Sequence, residues 1–188
     1  RTGIATQFKR IKESQKQPAS LVQYKETDQT HFILGVRAFD FFHPDRFALS
    51  VLATILGGNM SSRLFMAVRE RRGLAYSVHT SVDTNHDCGY LETQCGVEHA
   101  NLKETITTIL EEYRRIANEL VPEKELKKAK EYIKGSLVMH LESSDDVISY
   151  LVDQELLKGE IRLPEEYVAS IDAVTAEDVL RVAQDIFR

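Results

Sequence analysis

The sequence predicts an α+β fold: a mostly antiparallel sheet with helices packed on one face. Two observations carry this. Strand-type alternation is concentrated in the first half of the chain and helical apolar spacing fills the second, an order that argues against alternating βα units. The short polar turns TDQ and TNHD between apolar runs suit strands that reverse direction.

Taken in order, SLVQYKE (20–26) and THFILGVRAF (30–39) read as two strands, the second with the near-continuous apolar run of a buried one. Phe47, Ala48, Val51, Leu52, Ile55 and Leu56 recur at helical spacing and stop at Gly57-Gly58, which predicts a helix with one buried face. Ser61 or Ser62 is placed to cap a short helix running to Arg72, with Leu64, Phe65 and Val68 inward and Gly73 ending it. LAYSVHTSVD and CGYLETQCGV then form a hairpin, with Tyr76, Val78, Thr80 and Val82 expected on one face. Leu102, Ile106, Ile109, Leu110, Tyr113, Ile116, Ala117 and Leu120 make one helical stripe. Leu126, Ala129, Ile133, Leu137 and Leu141 make the next, beginning at Pro122. Three further helices are announced by Ser144, by Pro164 and by the Thr175 to Asp178 capping arrangement.

The 188 residues correspond to about 1.3 domains. They read as a single domain over 1–188, with 1–19 as a polar lead or linker. A formal net charge of −5 argues against nucleic acid as a partner, since phosphate binding favours a positive excess. No apolar run approaches the roughly 20 residues a membrane span needs, and RTGIATQFKR has no hydrophobic signal core. The chain does not begin with Met, so targeting information upstream is not excluded. Cys88 and Cys95 lie seven apart in one expected strand, which puts them on opposite faces and excludes a mutual disulfide. Two free thiols suit a reducing, cytoplasmic setting.

Metal and nucleophile chemistry are hard to find. No HxxEH, HxxxH or Cys/His spacing places two ligands on one helical turn. The loose group Asp83, His86 and Asp87 reads as a solvated hairpin loop, His31 and His79 as half-buried structural residues of strands, and His140 as a helix-end cation. Glu98-His99 is a loop pair with no visible third partner. There is no GxSxG, and GGNMSSR lacks the Lys and spacing of a phosphate loop. Arg63, Arg69, Arg71 and Arg72 read, on base rates, as a solvated helix face.

RERRGLAY (69–76) is the exception to this plainness. Basic residues at a helix end followed by Gly are ordinary capping chemistry, but that does not account for Arg69 and Tyr76 flanking the same turn. The longer stretch GGNMSSRLFMAVRERRGLAYSV closely resembles the signature of the C-terminal, non-zinc domain of pitrilysin and mitochondrial-processing-peptidase-like zinc peptidases. The LVPEKELKKAKEYIKGSL helix, the LESSDD step and the closing VTAEDVLRVAQDIF follow in the family's order, so the resemblance covers the chain from about Ser20 onward.

The resemblance implies an antiparallel sheet with helices on one side, paired with a second such domain in a clam-like shell. It implies that zinc is held by an inverted HxxEH motif and a further Glu on an N-terminal domain or partner subunit, with no ligands in this chain. The chain would then be the C-terminal half of a longer peptidase that hydrolyses peptides or unfolded segments in an enclosed chamber, inactive alone and ending before a usual last strand. By the same resemblance Arg69 and Tyr76 reach the substrate, as contacts to the peptide or to the oxyanion. The alternative is a non-catalytic homologue serving as a regulatory or structural core subunit.

Overall fold

The computed structural model describes residues 15–159 and 161–188; residues 1–14 of the expected lead lie outside it. Its first regular element is β1 (Thr30–Ala38), followed by helix α1 (Arg46–Gly57), a π-helical turn (Phe65–Glu70), and strands β2 (Ala75–Thr84) and β3 (Gly89–Val97). A 3₁₀ turn (His99–Asn101) leads into α2 (Leu102–Asn118), α3 (Glu123–His140), α4 (Ser144–Lys158), α5 (Pro164–Ala173) and α6 (Ala176–Ile186). Among the described residues the sheet has three strands in the order β1-β3-β2, antiparallel throughout.

Pleating sorts the sheet into two unlike faces. Phe32, Cys95 and Val78 form one cross-strand row, Leu34, Thr93 and Thr80 the next, and Val36, Leu91 and Val82 a third. These rows lie under the helices and enter the core. The intervening rows, His31-Gly96-Ser77, Ile33-Gln94-His79, Gly35-Glu92-Ser81 and Arg37-Tyr90-Asp83, belong to the opposite, open face. An antiparallel sheet tolerates this division because its backbone groups are paired within the sheet whichever face meets water.

Helix α1 lies at the centre. Its apolar residues wrap nearly the full circumference, and Ala48, Leu49, Val51, Leu52, Ala53, Ile55 and Leu56 are all buried, because β2, α3 and α6 each take a side of it. Its last residue, Gly57, presses directly on the sheet: a Cβ there would stand 2.7 Å from the Thr80 backbone nitrogen and 2.3 Å from Thr80 Oγ1. Beneath this contact runs a buried chain of hydroxyls, Thr80 to Thr93 at 2.7 Å and Thr93 to Tyr113 at 2.5 Å, which satisfies polar atoms that packing has removed from water. Tyr113 stacks on Phe187, tying α2 to the end of the chain.

Several expectations need correction. Residues 20–26 form no strand: Leu21, Val22 and Tyr24 are almost fully exposed. At the turn that follows, His99 Nε2 bonds the Thr27 carbonyl oxygen at 2.8 Å and His99 Nδ1 bonds Thr30 Oγ1 at 2.6 Å. That bridge ties the bend to the end of β3, and further back Gln15 Oε1 accepts from Arg37 of β1 at 3.4 Å, so the lead passes β1 through side chains without joining its ladder. Leu110 and Leu120 are exposed; the α2 stripe is completed instead by Thr105 and Thr108, whose hydroxyls bond carbonyls of the preceding turn. Helix α4 is capped by Ser143 rather than Ser144, its Oγ accepting from the Asp146 N–H. The Thr175 box closes as expected.

Replacing Gly57 with Ala should cost about 2 kcal/mol despite the better helix propensity of Ala, because a methyl forced against strand backbone cannot be absorbed by a rotamer change. Urea unfolding of the two proteins checks this, and a variant of equal or higher stability would mean that α1 can lift off β2 freely.

Candidate functional site

The surface around RERRGLAY is built by helix geometry first. Asn59 Oδ1 accepts from both the N–H and the hydroxyl of Ser61, so Asn59 turns the chain after α1, and neither Ser61 nor Ser62 acts as the expected cap. The segment then widens into a π-helical turn, closed by the Arg71 N–H donating to the Met66 carbonyl five residues back at 3.0 Å. Such i to i+5 turns are rare and concentrate at functional positions. Leu64 and Val68 are its buried anchors. Its exit is made by Gly73, whose φ of +62° lies in the left-handed region, while the Gly73 and Leu74 N–H groups donate to the carbonyls of Arg69 and Val68.

The four arginines, expected to form one solvated face, separate into different environments. Arg63 is nine-tenths buried and forks onto Glu125 of α3, Nε to Oε1 at 2.9 Å and Nη2 to Oε2 at 2.8 Å. Burial at this depth is tolerable only with such a bidentate partner. Lys128, also on α3, donates to the Ser61 carbonyl at 2.8 Å and reinforces the same attachment. Arg72 reaches α2, where Nη1 donates to Thr108 Oγ1 at 2.8 Å and lies 3.7 Å from Glu104. Arg69 differs from both: it is exposed, its guanidinium carbon sits 4.9 Å from the Phe65 ring centre, and among the described residues it has no acidic partner.

Tyr76 owes its placement to an irregularity in β2. Ala75 is opposite Val97 and Ser77 is opposite Gly96, so Tyr76 is an extra residue without a partner on β3, a β-bulge. Ala75 and Val78 are both buried although three residues apart, and Tyr76 between them is 56% exposed. The expectation that Tyr76 shares a face with Val78, Thr80 and Val82 is therefore wrong. Its hydroxyl donates to Glu98 Oε1 at 3.1 Å, which also gives the Glu98-His99 pair the partners that were missing in the sequence. That hydrogen bond, with the Glu98 charge second, raises the Tyr76 pKa above its ordinary value, so the phenol remains a donor through the neutral range.

Arg69 and Tyr76 thus both emerge around the Gly73 turn, and no direct bond joins them. Among the described residues no group of three or more His, Cys, Asp or Glu is arranged to hold a metal ion, and no described helix is long and apolar enough to cross a membrane. His31 and His79, expected to be half-buried, are exposed on the open face. The sequence signal for the bulge was present but unused: Ala75 and Val78 are apolar at a spacing of three, where strict alternation requires two or four.

The family model for the peptidase M16 inactive domain matches residues 4–133. The chain belongs to that family. The chain is 37% identical over 167 residues to uncharacterized zinc protease YmxG of Bacillus subtilis, covering 89% of this chain and 41% of that protein. A similarly named zinc protease of Mycobacterium leprae is 37% identical over 169 residues, covering 90% of this chain and 38% of that one. The chain therefore spans about two-fifths of the length of these relatives. In structure it is similar to a conserved protein from Enterococcus faecalis, with TM-score 0.78 and 27% identity over 86% of this chain and 38% of that one. A peptidase M16 inactive domain from Pseudomonas fluorescens shares the fold at TM-score 0.76 and 24% identity, covering 85% of this chain and 38% of its own. The α+β architecture expected from the sequence is the architecture of this family.

Two measurements test the site's electrostatics. In an ultraviolet titration, Tyr76 should ionise above the ordinary tyrosine range, and Glu98→Gln should bring it down by removing the charged acceptor; an unchanged titration would mean the hydroxyl is not held by Glu98. Glu125→Leu should lower the unfolding free energy by about 3 kcal/mol, since it strands a buried guanidinium, whereas an effect below about 1 kcal/mol, typical of a solvated pair, would show Arg63 free to reach water.

Proposed function

We propose that this chain is the substrate-binding, non-zinc half of a zinc-dependent endopeptidase that hydrolyses peptides or unfolded segments in an enclosed chamber in the cytoplasm. The observation that carries the reading is the paired release of Arg69 and Tyr76: one arginine without an acidic partner and one tyrosine lifted from its strand by a bulge, on either side of a left-handed glycine. Names of relatives as zinc proteases, and their greater length, support a parent protein with a second half. The described residues offer no ligand set for zinc, so the metal belongs to that other half or to a partner subunit.

Within this reading the chain's contribution is donation. Charge grows on the carbonyl oxygen of a peptide bond during hydrolysis, and an unpaired guanidinium can meet it together with a phenol that keeps its proton and turns it from Glu98 to the substrate. The peptide itself would run extended, paired through its main chain to a sheet edge of the zinc-bearing half, which explains tolerance of many sequences.

The test uses the full-length protein. Tyr76→Phe should keep the fold and zinc content while turnover falls on the order of 10²-fold, because only a hydroxyl is removed. Arg69→Lys should also be damaging, an ammonium being unable to reproduce the planar fork. Arg72→Lys should be mild, since Arg72 serves α2 rather than substrate. Undiminished turnover in Tyr76→Phe would remove the catalytic role, and a parent chain lacking HxxEH would favour the regulatory or structural subunit instead.

A further inference from the structure

The open face carries one histidine whose placement the fold does not require. His31 lies in the cross-strand row His31-Gly96-Ser77, which ends on β2 at the residue directly after the Tyr76 bulge. Its ring leans across the sheet onto Gly96: a Cβ built on Gly96 would stand 3.1 Å from His31 Cε1, 3.3 Å from Nδ1 and 3.1 Å from Ser77 Oγ. The glycine is therefore the seat of the ring, and any larger residue would displace either the imidazole or the serine.

Several polar groups of this face are already partnered. Glu98 takes the Tyr76 hydroxyl, His99 bridges Thr27 and Thr30, Gln94 donates to Glu92 at 2.6 Å, and Tyr90 donates to Asp83 at 3.0 Å. Among the described residues His31 has no hydrogen-bond partner, although its ring is exposed and packed in place. A packed ring with free nitrogens, on the same sheet as the Tyr76 bulge with β3 between them, is what a binding surface needs, because little conformational freedom remains to be lost when ligand arrives.

We propose that His31 is a further substrate-contacting side chain, donating a ring N–H to a main-chain carbonyl of an extended peptide that crosses the open face toward Tyr76, with Gly96 positioning the ring. The assignment rests on the functional reading above. It differs from the oxyanion role of Arg69 and Tyr76 in being a contact made equally in the ground state and the transition state, so its loss should fall on KM rather than kcat.

The experiment uses the full-length protein, with a fluorogenic peptide for turnover and, on the metal-stripped protein, anisotropy of a labelled form of the same peptide for affinity. His31→Ala should weaken both Kd and KM by about five- to tenfold, the range of one lost hydrogen bond. His31→Gln keeps an N–H donor and should bind more tightly than His31→Ala. Gly96→Ala should reproduce the His31→Ala loss by displacing the ring. If Gly96→Ala fails to fold, the His31 pair decides alone. Unchanged Kd and KM in His31→Ala would overturn the proposal, as would a Gln variant no better than Ala. Tyr76→Phe run alongside separates the two ideas: lost turnover there with normal peptide affinity in His31→Ala removes only His31, whereas full turnover in Tyr76→Phe removes the catalytic reading on which it rests.

Discussion

Strand β2 must satisfy a conflict of phase, and the candidate site follows from how it does so. Leu74 and Ala75 are drawn into the core where the chain leaves the π-helical turn, while Val78 and Thr80 are drawn in by α1 further along. A regular strand cannot bury residues 75 and 78 on one face, because side chains alternate with period two. One extra residue resolves the conflict, and that residue is Tyr76. The bulge costs a ladder partner at one position, yet it moves a large aromatic side chain from the helix-covered face to the end of the sheet. The left-handed Gly73 works on the same junction from the other side, since an L-residue with φ near +60° would be strained where the π-helix turns into the strand.

The turn that feeds this junction is held from two directions. Arg63 fastens its entrance to α3 and Arg72 fastens its exit to α2, so a short helical segment of unfavourable geometry is fixed between two long regular helices. The two attachments are unequal. The Arg63 fork is shielded from water and depends on Glu125 to offset the desolvation of its charge, whereas Arg72 is nearly half exposed and contributes through one hydrogen bond and a screened ion pair. Four arginines of one chemical type therefore divide by burial and partner: Arg63 and Arg72 have carboxylates, while Arg69 and Arg71 are exposed without one among the described residues.

Much of this was legible in the sequence. The helix boundaries at Gly57, Pro164 and Thr175 followed from caps and breakers because such signals act over a few residues. What escaped depended on partners far away in the chain. Arg63 looks solvated until Glu125 is brought to it, 62 residues later, and Glu98-His99 looks unpartnered until Tyr76, Thr27 and Thr30 are brought to it. Arg69 and Tyr76 do flank a left-handed glycine turn, but the face assigned to Tyr76 was wrong because alternation was counted through the bulge instead of stopping at it. The sequence also could not show that His31 and His79 are exposed, since an alternating strand does not say which of its faces the helices will cover.

That choice of face has a chemical consequence. The covered face is Phe, Leu, Val, Cys and hydroxyl-bearing Thr, material that packs dry once the threonines bond one another and Tyr113. The open face is His, Ser, Gln, Glu, Tyr, Arg and Asp, with Ile33 as its only large aliphatic residue in the paired rows. A partner helix or second sheet packed flat against it would bury these groups and would have to satisfy every one of them. A bound peptide makes a lesser demand, because its main chain brings a donor and an acceptor at each residue and its rim can stay wet. The composition of the open face is therefore that of a surface that stays wet, while the apolar face fixes the glycine turn, the bulge and the π-helix around which Arg69 and Tyr76 emerge.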